Sequence, residues 1–290
     1  MAHTVNIVNA FVDGEKGGNP AGVVLRADGL TAADKLRIAQ LVGLSETAFV
    51  SASRVADVKL DFFTPTRQIA HCGHATIATF GLLAQRGIIS RANASKETID
   101  GTRQIMLRGQ SAYMEQLAPT YFDEDAFSAG ITTDRILASL DIKRDAIVAA
   151  PCVVATGNRF LLVHVRSGAV LAGLKPDMKE VGLIGEALGV VGYYVFTTEV
   201  EGFAATTRMF APHYGIDEEA ATGMAAGPLA CYLHDRLGMR IPAFLIQQGA
   251  FMREPSPSRI TVELNIREGK IANLFAGGNA KVVSSINIVL

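Results

Sequence analysis

Gly73-His-Ala-Thr-Ile-Ala-Thr-Phe-Gly-Leu-Leu-Ala-Gln85 carries no formally charged side chain. Its spacing and small residues predict a helix. A helix that is apolar all round has no face to offer water, so it must be enclosed on every side. Roughly 150 residues further on the same composition returns. Gly223-Met-Ala-Ala-Gly-Pro-Leu-Ala-Cys-Tyr-Leu-His234 is uncharged up to Asp235, and Arg236-Leu237-Gly238 echoes Arg86-Gly87. Each stretch follows a strand candidate ending in Phe-x-Pro, at Phe63-Thr64-Pro65 and at Phe210-Ala211-Pro212. The pattern reads as an α+β duplication, two pseudo-symmetric halves each wrapping a curved, barrel-like sheet around one central helix. The expected halves are residues 1–118 and 119–278, with a last strand in 279–290, around Lys281–Val289, returning to the first half.

The remaining elements of the first half are expected as follows. A strand at Val5–Val12 leads through the loop Gly14–Pro20 to a second strand at Gly22–Leu25. Thr31 is a good N-cap with Asp34 three positions on, and Gly43 closes that helix. Leu36, Ile38, Ala39, Leu41 and Val42 are its expected apolar side, and Asp34, Arg37 and Gln40 its wet face. Val58, Leu60 and Phe62 alternate with Asp57, Lys59 and Asp61 in the manner of a half-buried strand. In the second half Ile260, Val262, Leu264 and Ile266 show the same alternation, and Pro255-Ser256-Pro257 reads as a turn.

The chain has 290 residues, 49% hydrophobic and 19% charged, which is enough to bury a substantial core. A formal charge of −1, without basic runs, excludes the electrostatic footprint of a nucleic-acid binder. No apolar run reaches the ~18 residues of a membrane span, and residues 1–12 lack the layout of a secretory signal. Cys72, Cys152 and Cys231 are too few and too scattered for a disulfide framework. A cytoplasmic protein acting on a small molecule is the expectation.

Chemistry is expected at the starts of the two uncharged helices. The first turn of a helix presents unpaired N–H groups and the positive end of the macrodipole, and glycine there admits a ligand to the backbone. Gly73 opens one helix and Thr222-Gly223 the other. With the halves facing across a cleft, these starts would seat a carboxylate. His74, the pair Glu218-Glu219, and Glu46 at the head of an apolar strand are the ionisable groups nearby. Each has a bland reading: a structural histidine, acids favouring a helix dipole, and an exposed strand-end glutamate. His71 and His74 lack the further His/Cys partners that a metal site needs, so no metal is expected. No nucleotide-binding loop occurs. Cys231 lies eight residues into its helix, so a two-thiol racemase is disfavoured; Cys72 and Cys231 read as small core residues.

Several stretches resemble signatures of the phenazine-biosynthesis PhzF-like family. They are Asn19-Pro-Ala-Gly-Val-Val-Leu25, Leu44-Ser45-Glu46-Thr47-Ala48-Phe49, Phe63-Thr-Pro-Thr-Arg67 followed by Cys72-Gly73-His74-Ala75-Thr76, Glu218 to Ala230, and Gln248-Gly249 with Met252-Arg253 and Pro255-Ser256. They fall in order from residue 5 to about 278. The resemblance implies the diaminopimelate-epimerase fold and a cofactor-independent isomerase, in which one carboxylate moves a proton on a carboxylate-bearing substrate. The best-understood members isomerise a dihydro-hydroxyanthranilate. By position Glu46 becomes the proton shuttle, with Ser45, Gly73, His74, Glu219, Thr222, Gly223 and Met224 binding substrate, and a homodimer is implied. Three positions depart from the family pattern: Glu219 for Asp, Ala220 for Pro, and Met224 for Ser. A hydroxyl donor lost from a pocket disfavours a substrate that needed it, so a different small acid is expected. The alternative is a member that lost its reaction and became a metabolite-binding or protein-interaction protein.

Overall fold

A computed structural model describes residues 2–290 as two compact units, one running to Glu115 and completed by Gly277–Leu290, the other Gln116–Ala276.

The first unit contains β1 (Ala2–Ala10), β2 (Asn19–Val24), α1 (Ala32–Val42), β3 (Thr47–Ser51), β4 (Val58–Phe63), β5 (Gln68–Ile69), α2 (Gly73–Gln85), β6 (Asn93–Thr98), β7 (Gly101–Arg108) and β8 (Ser111–Leu117), which runs just past the boundary. β1 pairs antiparallel with β2, and β2 runs parallel to β3. β3 pairs antiparallel with β4, β4 lies parallel to β6, and β6 and β7 form a hairpin. α2 packs against β1, β2 and β3. Every residue of α2 from Gly73 to Leu83 is buried, as its uncharged composition requires. The opposite face of the sheet carries α1, with Ile38 and Ala39 against Val5, Val24, Phe49 and Phe63.

Local signals formed α1 as read. Thr31 and Asp34 make a reciprocal capping box, and Gly43 ends the helix in the left-handed region at φ 69°. Other expectations need correction. Leu41 is 48% exposed, while Lys35 is buried, its Nζ 2.5 Å from an Asp61 carboxylate that is itself buried. Alternation assigned Asp61 to the polar side, but α1 covers that side and each charge is satisfied by the other. The first strands also begin earlier than expected: hydrogen bonding to β2 starts at Asn19, and Pro20 sits near the strand start, where proline is tolerated.

The second unit holds β9 (Thr120–Phe122), α3 (Thr133–Ala138), β10 (Cys152–Ala155), β11 (Arg159–His164), α4 (Gly168–Ala172), α5 (Met178–Leu188), β12 (Gly192–Thr197), β13 (Ala205–Phe210), α6 (Gly223–Asp235), β14 (Phe244–Gln248), β15 (Ser258–Arg267) and β16 (Lys270–Gly278). Its sheet is mixed: β11/β12 and β13/β14 are parallel, and β9/β10, β10/β11, β12/β13 and β14/β15 antiparallel. α6 packs against β10, β11 and β15 and is buried from Ala225 to His234. α3, α4 and α5 bury Ile136, Leu171, Val181 and Ile184 against Leu161, Val163, Tyr193 and Val195. Pro228 stands inside α6, so the carbonyl of Met224 loses its usual intrahelical donor.

The last strand, β17 (Ala280–Val289), belongs to the first unit and pairs antiparallel with β1 over its whole length. α2 packs on it so closely that a Cβ added at Gly81 would lie 2.5 Å from Ala280 Cβ. Both neighbours are backbone-anchored, so neither can swing aside. Gly81→Ala is therefore expected to cost about 1–3 kcal/mol. Urea unfolding of the variant against wild type measures it, and an unchanged midpoint would refute the close approach.

Candidate active site

Phe49 belongs to the core beneath α1, so the pleat of β3 turns Ala48, and by the same parity Glu46, to the α2 side of the sheet. The Glu46 carbonyl accepts from the Gly22 N–H at 3.1 Å, which fixes its backbone. The carboxylate arrives beside the first turn of α2. Glu46 Oε2 lies 3.3 Å from His74 Nε2, both side chains being nearly buried. That oxygen is inaccessible and accepts no hydrogen bond. On the other edge of the same imidazole, the Cys72 thiol lies 3.6 Å from Nδ1. Cys72 is buried, as a small core residue would be, yet it belongs to this cluster, and burial pushes its thiol up from the ordinary range. Ser45, next in the chain to Glu46, is exposed.

Beneath the turn lies Lys96, 0% exposed. Its Nζ donates to Thr76 Oγ1 at 2.7 Å, and Thr76 in turn donates to the Cys72 carbonyl at 2.6 Å. The ammonium also lies 3.3 Å from His71 Nδ1 and 5.2 Å from the centre of the Phe62 ring. Among the described residues no carboxylate is paired with it. Burial lowers the Lys96 amine to about 7, with Arg103 pressing the same way and Cys72 and Asp100 opposing. His71 is driven to about 3, first by burial and then by the charges of Lys96 and Arg103, and is a neutral ring.

In the second unit the two consecutive acids divide their roles. Glu218 accepts two 2.8 Å bonds from Arg208 and is structural. Glu219 instead accepts a short hydrogen bond from the Thr222 hydroxyl. Gln248, fully buried, holds this turn by donating to the Glu219 carbonyl at 2.7 Å and accepting from the Thr222 N–H at 3.0 Å. Gly249, at φ 78°, lets the backbone pack closely here, because a Cβ there would lie 2.3 Å from the Ser256 carbonyl oxygen and 2.8 Å from that of Ala220. The Gly223 carbonyl accepts from Gln116 at 2.9 Å, and Met224 Sδ takes a 3.2 Å contact from Asn158 Nδ2. The Thr222 and Gly223 positions are buried and Met224 is half-buried.

A family profile described as phenazine biosynthesis-like protein (PhzC-PhzF) matches residues 8–285. The chain belongs to that family. It is 30% identical over 294 residues to an isomerase of Clostridium acetobutylicum, with 98% of this chain and 97% of that one covered. It is 31% identical over 239 residues, 80% of each chain, to the trans-2,3-dihydro-3-hydroxyanthranilate isomerase of Pseudomonas chlororaphis. Among solved structures it superimposes on a PhzF-family phenazine biosynthesis protein of Bacillus anthracis with a TM-score of 0.89, at 26% identity and full coverage of both chains. The PhzF-like family is one of isomerases and epimerases of small molecules, and the diaminopimelate-epimerase-like fold that the resemblance implies is the fold found.

Of the residues singled out in the sequence, Glu46, Gly73 and His74 come together in the first unit, and Glu219, Thr222, Gly223 and Met224 in the second. Sequence reading passed over Lys96, and met Gln248 only inside a family signature, with no role given to it. For Lys96 a signal existed: it shares strand parity with Ala94 and Thr98, both buried, while Ser95 and Glu97 face outward. No helix among the described residues is long and apolar enough to cross a membrane.

Lys96 gives a pH prediction. Unfolded, a lysine holds its proton up to about 10.4; folded, Lys96 gives it up near 7. Between those values the unfolded chain binds more protons, so stability rises with pH. The burial penalty is complete below the folded value and is relieved above it. The unfolding free energy of wild type minus that of Lys96→Met is therefore expected to increase from about pH 6 to about pH 9. A flat difference in urea titrations would contradict the assignment.

Proposed function

We propose that Glu46 takes a proton from one carbon of a small carboxylate-bearing substrate and returns it at another. The observation that carries this reading is the buried Glu46 Oε2, which accepts no hydrogen bond. A buried carboxylate lone pair that accepts no hydrogen bond is available as a base, and the acid formed is shielded from exchange with water. His74, 3.3 Å away, orients the carboxylate. The same group serves as base and then as acid, so the substrate must stay bound between the two steps. Atoms and electrons balance without a redox partner, and the reaction needs no cofactor.

Within the first unit the proposed substrate contacts are Gly73-His74 at the start of α2, with Ser45 beside Glu46; within the second unit they are Glu219, Thr222, Gly223 and Met224. At the second helix the backbone N–H of Gly223 or Met224 binds the substrate carboxylate. The Met224 thioether occupies the place of a hydroxyl donor and favours a less polar or smaller substrate than the dihydro-hydroxyanthranilate of the Pseudomonas chlororaphis relative. Three free, buried thiols fit a reducing, cytoplasmic setting.

Glu46→Gln is expected to fold as wild type and lose turnover by about 10²–10⁴-fold. Incubation in deuterated water with dihydro-hydroxyanthranilate and a panel of small cyclic amino and hydroxy acids, followed by NMR, reads the exchange at carbon. Undiminished exchange in the variant removes Glu46 from the chemistry.

Met224→Ser is expected to keep the fold and to shift preference towards hydroxylated cyclic acids by about 0.5–1.5 kcal/mol, one buried hydrogen bond. Calorimetric titration of the panel into both proteins measures the shift. Identical affinities throughout would mean that Met224 does not line the pocket.

A further inference from the structure

The Cys72 thiol has no part in the proton shift described above, yet it sits within that cluster. One ligating atom from each of Glu46, Cys72 and His74 lies within 4.8 Å of the other two. Zinc binds nitrogen and oxygen at about 2.0–2.1 Å and thiolate sulfur at about 2.3 Å in tetrahedral sites, which places ligand atoms roughly 3.3–3.6 Å apart. Glu46 Oε2 and His74 Nε2 stand 3.3 Å apart and already span one edge of such a tetrahedron. The Cys72 sulfur lies 3.6 Å from Nδ1, the other nitrogen of the ring, so to join an ion held at Nε2 its side chain must rotate towards Glu46.

We propose that Glu46, Cys72 and His74 form a three-ligand site for a thiophilic divalent cation of the Zn²⁺ class, with a fourth position open to water or a small ligand. The donor set selects the ion. Magnesium and calcium need several oxygen ligands, and this cluster offers one carboxylate. Sulfur, imidazole and carboxylate together suit zinc. Charge also balances, since a carboxylate and a thiolate neutralise a divalent ion in a buried setting. Independently of the spacing, Glu46 Oε2 is a buried acceptor with no donor, and a cation supplies what it lacks. Among the described residues no second grouping of this kind occurs, and Cys152 and Cys231 belong to none.

A bound ion would occupy the lone pair that Glu46 needs as a base, so zinc inhibits the isomerisation. That consequence rests on the proton-shuttle reading, whereas ion binding does not.

Titration of the full chain with Co²⁺, a spectroscopic stand-in for Zn²⁺, tests the site without any turnover. Wild type is expected to take up one ion per chain with a thiolate-to-cobalt charge-transfer band and the d–d bands of a four-coordinate centre, all erased by added Zn²⁺. Cys72→Ser should abolish the charge-transfer band, and Glu46→Gln should weaken binding by about tenfold or more, with circular dichroism confirming the fold. Cys231→Ser should retain the band. A wild type without the band at millimolar Co²⁺, or a band that survives Cys72→Ser, overturns the site. Should Cys72→Ser fail to fold, alkylation of Cys72 in wild type, mapped by mass spectrometry, decides: zinc must slow it, and an unchanged rate overturns the proposal. Loss of turnover in metal-free Glu46→Gln speaks to the shuttle alone, so the two readings fail separately.

Discussion

A helix enclosed on every side can meet water or ligand only at its ends, and α2 is such a helix. Its side chains are uncharged and buried from Gly73 to Leu83. The sheet must therefore supply a tight, apolar bed for its length, and polarity is pushed to its first turn. Gly81 against Ala280 shows how tight that bed is. The polar groups of the cluster, Glu46, Cys72, His74, Thr76 and Lys96, gather where the helix begins. The enclosure that stabilises the unit is what concentrates chemistry at one spot.

That concentration has an energetic cost. A carboxylate oxygen without a donor and a lysine without a carboxylate are each unfavourable in an apolar interior. The burial of apolar side chains such as Val23, Ala48, Phe62 and Ile77 offsets it. Pairing Lys96 through Thr76 to the Cys72 carbonyl spends the ammonium on holding the helix start rather than on cancelling Glu46. The carboxylate is thereby left uncommitted.

The architecture was legible where a local rule was unambiguous. An uncharged run of thirteen residues from Gly73 can only be an interior helix, and the Thr31–Asp34 capping box marks the start of α1 without reference to anything distant. The reading of Glu46 as a proton shuttle rests on family resemblance; periodicity alone leaves it an ordinary strand-end acid. What was hidden depends on pairing across the chain. Asp61 looked solvent-facing until α1 brought Lys35 to it. Cys72 looked like filler because nothing near it in sequence points to Glu46, 26 residues away. Gln248 holds Thr222 from an equal distance, |i−j| = 26, beyond any local pattern.

The pairing of β1 with β17 joins residues as far apart as Thr4 and Asn287. During synthesis β1 emerges long before β17, its pairing partner. Until β17 follows, β1 presents an open edge, a row of unpaired amides and carbonyls able to recruit any extended chain nearby. Closure of the first unit thus waits on a contact of very high sequence separation, and the nascent chain depends on slow aggregation or on chaperone cover until β17 is made.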